Sequence, residues 1–370
     1  MPKPKIPESA LLESTKDLKE SYNAIIALPS CNEASTLPEV ISSLEKNSSS
    51  FTEQTLIIIN VNNRTSANNQ DNLRTLNWLK ALNSQLHIAW LNNAVEPHSF
   101  PEKFGVGLAR HQAVCAGLKF INEYSPVISL DGDSPVNEDY LEEIFKAFDN
   151  GMQAGHVNFS HKQEGSPEEI RAIQLYDQHL HIHRKRLEEA GSPHAWYAIG
   201  STIVCTKAAY NKAGGYNVRR MAGEDFYLLQ QLSKTGHKIE MIKNAYVYPS
   251  NRASDRVPFG TGKAVGDILE TGDWFTYNPQ CYTELKTLLS SVKENLKNGA
   301  EDIFEAVSDQ TKEYLESRKF TEAWKKLQNN SRDEKMLQQR FHEWLDAFQT
   351  LKLIHHLTDS RFPKEKIQLP

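Results

Sequence analysis

The sequence predicts an α/β protein, a mostly parallel sheet flanked by helices, followed by a C-terminal all-helical subdomain. Over roughly the first 150 residues, apolar runs of strand length alternate with amphipathic helical patterns, which requires parallel strands joined by right-handed crossovers. The last 70 residues contain no glycine and are rich in Glu, Lys and Leu, a composition of packed helices. The expected layout is an N-terminal extension (1–21), a sheet-bearing domain (22–275, with halves 22–150 and 151–275) and a helical subdomain (282–370).

Each element has its own signal. Ala24-Ile25-Ile26-Ala27-Leu28 is a buried strand, and after Pro29 a helix is marked by Ser35 or Thr36 as cap, Pro38 near its start, and Leu37, Val40, Ile41 and Leu44 on one face. Thr55 to Asn60 is a second strand, and the polar stretch from Asn62 to Asn69 leads into a helix carrying Leu73, Leu76, Leu79 and Leu82. A third strand runs near Leu86 to Leu91. A glycine-punctuated helix from about Gly105 to Asn122 and a fourth strand, Pro126 to Leu130, follow. Beyond residue 150 the pattern is mixed: a strand at His156–Phe159, a long helix opened by Ser166-Pro167-Glu168-Glu169, and a glycine-rich stretch from Gly200 to Gly223. In the helical tail, Trp324, Phe341, Trp344 and Phe348 are the core candidates.

Composition excludes several classes. With 370 residues, 42 Lys+Arg against 47 Asp+Glu and a net charge of −5, the chain has neither the basic face nor the Lys/Arg run of a nucleic-acid binder. No segment approaches the roughly 18 apolar residues of a membrane-crossing helix, and no secretory leader pattern is present. Cys31, Cys115, Cys205 and Cys281 are widely spaced without a CxxC, which suits reduced thiols and a cytoplasmic location.

Five segments carry candidate chemistry. Asp131-Gly132-Asp133 leaves an apolar strand and places two hard oxygen ligands where α/β sheets bind ligands, suited to Mg²⁺ or Mn²⁺ on a diphosphate; the alternative is an ordinary turn. Pro29-Ser30-Cys31-Asn32-Glu33 leaves another strand; Pro29 shapes the turn, and Asn32 and Glu33 either face a base or ribose or satisfy the next helix N-terminus. In Gly105-Val106-Gly107-Leu108-Ala109-Arg110-His111 the glycines permit close packing, and Arg110 is expected to meet a phosphate or a strand-end carboxylate. Glu224-Asp225 opens a helix, where acids are favoured by the dipole in any case, yet one of the two carboxylates facing the Asp131/Asp133 edge would suit proton abstraction. Asn251-Arg252 through Arg256 to Gly262 is a loop whose two arginines suit a diphosphate, or else a surface loop with a local Arg-Asp pair.

Taken in order, a P-x-x-N-E strand exit, a G-x-G-x-A-R helix, a strand ending in D-x-D, Ile199-Gly200-Ser201, a Gly214-Gly215-Tyr216 turn and G-E-D before a helix resemble a family 2 glycosyltransferase of the GT-A (Rossmann-like) fold over residues 22–262. The resemblance implies transfer of a sugar from a nucleotide-diphospho-sugar donor to an acceptor hydroxyl. It places Asn32 and Glu33 near the nucleotide, Asp131 and Asp133 on nucleotide-sugar and metal, Gly200 along the donor sugar, and Asp225 as general base of an inverting displacement. His237 is a candidate third metal ligand. Where the family commonly has an acid after the second strand, this sequence has Asn60 or Asn62, and His111 stands where Asn is common. The Q-x-x-R-W motif of processive synthases is absent, so a non-processive transferase is expected. The alternatives are a nucleotidyltransferase, whose Gly-rich, Lys-bearing loop is missing, and a non-catalytic nucleotide-sugar-binding protein.

His179 and His183 share a helix face at i,i+4 without an HExxH acid between them, so solvent exposure or a cleft contact is expected rather than zinc. The C-terminal helices are expected to cover an acceptor, to form a homodimer contact or simply to pack.

Overall fold

The structure, a computed structural model, describes residues 6–218, 223–253 and 260–369. Along the first half run β1 (Leu12–Ser14), β2 (Ala24–Ser30), α1 (Leu37–Glu45), α2 (Ser49–Thr52), β3 (Thr55–Asn62), α3 (Gln70–Ala81) and β4 (His87–Asn93). Then come α4 (Val106–Gly117), β5 (Pro126–Ser129), α5 (Tyr140–Asp149), β6 (Ala154–Phe159), α6 (Pro167–Glu189), β7 (Ile203–Thr206), α7 (Lys207–Ala213), α8 (Glu224–Lys234) and β8 (Glu240–Val247). The remainder is α9 (Thr261–Thr271), β9 (Phe275–Thr276), α10 (Pro279–Glu294), α11 (Ala300–Ala306), α12 (Asp309–Ser317), α13 (Phe320–Asn329), α14 (Glu334–Trp344), α15 (Ala347–Ser360) and β10 (Glu365–Lys366).

The chain folds into two compact units, Met1–Glu164 with Ala198–Lys263, and Gly165–Tyr197 with Ala264–Pro370. The second unit therefore takes the long helix α6 from the middle of the sequence, a division different from a single cut near residue 275.

In the first unit eight strands form one sheet in the order β1-β4-β3-β2-β5-β7-β6-β8. The pairs β2/β3, β3/β4, β2/β5 and β6/β8 are parallel; β1/β4, β5/β7 and β6/β7 are antiparallel. Three strands of this sheet exceed the sequence expectation. Residues 12–14 of the N-terminal extension form an edge strand on β4, the glycine-rich stretch hides β7, whose Ile203–Thr206 lies between β5 and β6, buried along its length, and β8 forms the opposite edge. β2 and β3 are buried along their whole length, as expected of parallel strands covered by helices, and each fully buried Ile or Leu there contributes about 1.5–3 kcal/mol. The helix expected from Gly105 to Asn122 ends at Gly117 and continues as one 3₁₀ turn to Phe120. A Cβ at Gly117 would lie 2.7 Å from Ile58 Cδ1 and 2.8 Å from Ile25 Cδ1, so its absence lets α4 pack directly on β2 and β3.

The second unit is helical apart from the short β9/β10 ribbon. Its core joins Tyr282, Leu285, Phe320, Trp324, Phe341 and Leu353. Trp344 is only partly buried, packing 5.2 Å from the Phe320 ring, and Phe348, expected inside, is 36% exposed. His179 and His183 are not solvent-facing. Their rings stack with centroids 6.2 Å apart against Tyr277, with His183 Nδ1 bonded to the Tyr282 hydroxyl at 2.6 Å and His179 Nδ1 to Thr276 at 3.1 Å. Among the described residues no helix is long and apolar enough to cross a membrane, and all four cysteines are free.

Candidate functional site

The pairing pattern sends β2, β3, β4, β5, β6 and β8 in one direction, so their carboxyl ends share one edge of the sheet. Two of the sequence-predicted segments leave strands at that edge. β2 delivers Cys31, Asn32 and Glu33; β5 delivers Asp131, Gly132 and Asp133. Pro29 lies inside β2 itself, level with Asn60 of β3. Gly132 sits against the Glu33 side chain, where an added Cβ would come within 3.2 Å of Glu33 Cγ, so the two segments are in contact. Thr36 stitches them, its hydroxyl donating to Glu33 Oε2 at 2.7 Å or to the Gly132 carbonyl at 2.8 Å.

Two arginines organise the carboxylates. Arg110, projecting from α4 and 3% exposed, donates from Nη2 to Asp131 Oδ1 at 2.5 Å and from Nε to Glu224 Oε1 at 3.1 Å. Burial alone would work against its charge, but Asp131 and Glu224 more than offset that and raise its pKa. Arg252, half-buried, donates from Nη2 to Glu33 Oε1 at 2.5 Å and Asp133 Oδ2 at 3.2 Å. Each aspartate of the D-x-D pair thus has its own guanidinium.

Glycines make the first of these pairings possible. A Cβ on Gly200 would lie 2.9 Å from Arg110 Cζ, and one on Gly107 would lie 3.1 Å from Glu224 Cβ. Gly200, expected along a donor sugar, therefore backs the Arg110 guanidinium. Beneath Asp131, the Ser129 hydroxyl of β5 bonds the buried Tyr216 hydroxyl, tying the Gly214-Gly215-Tyr216 turn to the strand that bears the pair.

Asp225 follows Glu224 in the first turn of α8, and its carboxylate accepts a bond from the Phe226 N–H at 2.7 Å. Burial, reinforced by the neighbouring Glu224 charge, pushes its pKa up to about 7, against the opposing pull of Arg110. A carboxyl group balanced near neutrality is fitted to exchange a proton.

Other expected residues lie elsewhere. Asn60 is fully buried, donating to the Ala109 carbonyl at 2.9 Å and accepting from Asn93 at 2.9 Å, with Gln112 completing the network. Asn62 spends its amide on the carbonyls of Ser30 and Asn60. Both bind protein backbone in place of a nucleotide. His237 bonds Gln153 at 3.0 Å; Gln153 precedes β6, at the amino ends of the parallel strands, so His237 stands at the sheet edge opposite Asp131 and Asp133 and is no ligand to them. Arg256 lies outside the described residues.

Sequence reasoning passed over one part of this edge. Asn32 adopts a left-handed conformation (φ 58°), its N–H bonded to Asn72 at 2.8 Å, while the Ala34 N–H bonds Asp71 at 3.0 Å. Asn32, Asn68, Gln70, Asp71 and Arg74 line a polar cleft of about 290 Å³. The signal available was the polar run after β3, whose length alone does not say that it curls back to the β2 exit.

The carboxylates also fit a divalent cation. Asp131 and Asp133 leave one strand exit beside Glu33, and their hard oxygens are the donors that Mg²⁺ and Mn²⁺ prefer. Among the described residues no three His, Cys, Asp or Glu side chains are grouped to hold a metal alone. The donor set suits an ion shared with phosphate oxygens and water.

No protein-family model matches the chain, and no curated protein matches it in sequence. Among solved structures it is similar to the S. aureus TarS 1–349 crystal structures, one in complex with UDP-GlcNAc (TM-score 0.43, 13% identity, 87% of this chain and 90% of that one) and one in complex with UDP (TM-score 0.41, 12% identity, the same coverage). A further S. aureus TarS structure matches at TM-score 0.40 and 13% identity over 78% of this chain, which spans only 49% of that one. Likeness at this level assigns neither substrate nor site.

Proposed function

We propose that the protein is a glycosyltransferase that takes a sugar from a nucleotide-diphospho-sugar and passes it to an acceptor hydroxyl by a single inverting displacement. The observation that carries this reading is Asp225, a carboxyl group balanced near pH 7 beside a Glu224–Arg110–Asp131 chain that leads to the D-x-D pair. In the proposed reaction Asp225 accepts the proton of the attacking hydroxyl. Arg110 fixes Asp131 and the first turn of α8 so that base and donor site keep one geometry. Arg252 offers a guanidinium to the departing diphosphate, and the Asn32 cleft is the place for the nucleoside. A divalent ion on Asp133 and Asp131, when bound, supplies Lewis-acid charge to the leaving group. The free cysteines agree with a reducing, cytoplasmic setting.

The test is release of nucleoside diphosphate from UDP- and GDP-sugars in the presence of Mn²⁺ or Mg²⁺. Asp133→Asn and Asp225→Asn should each abolish it with the circular dichroism spectrum unchanged. Full turnover by either variant sinks the corresponding role, and release of pyrophosphate would indicate nucleotidyl transfer instead.

A further inference from the structure

The two aspartates of the pair are held differently. Asp131 is fixed by a guanidinium that is 3% exposed and anchored a second time on Glu224. Asp133 is held by Arg252, whose side chain is 36% exposed and whose shorter contact is with Glu33 rather than with Asp133. One ion pair is part of the core; the other is partly open to solvent.

We infer that Arg252 occupies the cation position at Asp133 and makes metal and diphosphate binding mutually dependent. A divalent ion arriving alone at Asp133 has to displace the Arg252 contact at 3.2 Å and would leave a dication beside a guanidinium still anchored on Glu33. A diphosphate offers that guanidinium bidentate acceptors, the geometry Arg is best suited to, and so draws it off Asp133 as the metal enters. Each ligand therefore tightens the other by the same factor, as linkage requires. The inference rests on the nucleotide-sugar reading for its physiological diphosphate, but the competition between Arg252 and a cation belongs to the chain's own residues.

The experiment measures Mn²⁺ binding by electron paramagnetic resonance for the full chain, its Arg252→Ala variant and its Arg252→Lys variant, first without nucleotide and then with UDP or GDP. For the wild-type protein, Mn²⁺ affinity is expected to rise about fivefold or more when the nucleotide is added, the lower end of ordinary coupling. Arg252→Ala should bind Mn²⁺ several-fold more tightly than wild type without nucleotide and gain less from it, whereas Arg252→Lys, which keeps the charge, should stay nearer wild type. Equal Mn²⁺ affinity for Arg252→Ala and wild type without nucleotide overturns the inference. If neither nucleotide binds any of the three proteins, the glycosyltransferase reading suffers, while the nucleotide-free comparison still decides whether Arg252 competes with the ion.

Discussion

Arg110 and Glu224, 114 positions apart in the sequence, pair at 3.1 Å in a space kept open by two glycines, Gly107 on the same helix as Arg110 and Gly200 ahead of β7. Helix α4, helix α8 and the segment before β7 thus converge on one guanidinium, which also holds Asp131. Each contributor is an ordinary residue; only their meeting gives the site its stiffness.

Gly200→Ala tests that meeting. The added methyl has to push Arg110 away from Glu224 or Asp131, and overpacking of this kind costs about 1–3 kcal/mol. A lowered urea midpoint with unchanged slope is expected. A midpoint equal to wild type would show that the guanidinium has room to move.

The two arginines should differ in their weight on stability. Arg110→Ala leaves the buried Glu224 without its cation, a loss that typically costs about 3–5 kcal/mol; Arg252→Ala also uncovers a buried carboxylate, Glu33, but removes a guanidinium that is 36% exposed, so its cost should be the smaller of the two. Chemical denaturation of both variants gives the comparison, and similar losses would mean that Arg252 is as structural as Arg110.

Asp225 makes stability depend on pH in a defined direction. Its folded pKa of about 7 lies above the ordinary unfolded value near 3.9, so between those values the folded protein holds a proton that the unfolded chain has released. The stabilising contribution is complete below about pH 4 and is lost as pH rises through 7. Asp225→Asn removes the cost of the buried charge, and the variant's advantage over wild type should be largest at pH 8, smaller at pH 5 and gone near pH 4, as read by thermal melts. A constant difference across that range would place the titration elsewhere.

In the helical unit the sign is reversed. Burial, helped by Lys364 and Arg186 nearby, lowers His179 to about 4; burial, helped by His179, His355 and Arg186, lowers His183 to about 3. Against an unfolded value near 6.5, both contribute stability above that pH that is lost as pH falls towards 4 and 3. Tryptophan fluorescence from Trp274, Trp324 and Trp344 should report a transition on acidification below pH 6, and a His179→Gln, His183→Gln double variant should flatten that dependence. An unchanged acid transition in the double variant would assign it to other groups.

The sheet was legible where burial was complete on both faces, because Ile25-Ile26 and Leu56 to Ile59 have no other place to go. β7 was obscured because Ile203-Val204-Cys205-Thr206 lies inside a stretch, from Gly200 to Gly223, that its glycines present as a loop, although Gly200 is there to make room for Arg110. The D-x-D and P-x-x-N-E segments were legible as strand exits, since position on a strand fixes the edge. Asn60 and Asn62 were misplaced for the same reason: they stand at a strand end, but their partners Asn93, Gln112 and Ser30 come from three other elements, and only the register of β3 on β2 and β4 reveals them. His237 was misplaced because nothing in its neighbourhood says at which end of the sheet its turn emerges.

The helical unit draws α6 from the middle of the chain, and α6 rests its Ala172, Ile173 and Leu175 on Val265, Ile268 and Ile367, residues that a ribosome supplies about a hundred positions later or more. No single cut in the gene separates the two units. A polypeptide stopped at residue 263 would carry α6 with an apolar stripe and no helix to receive it, and one begun at residue 264 would lack Leu187 and Ala190 of its core and the partners of Val265 and Ile268. While the chain is being made, α6 is therefore complete well before the residues that cover its apolar stripe.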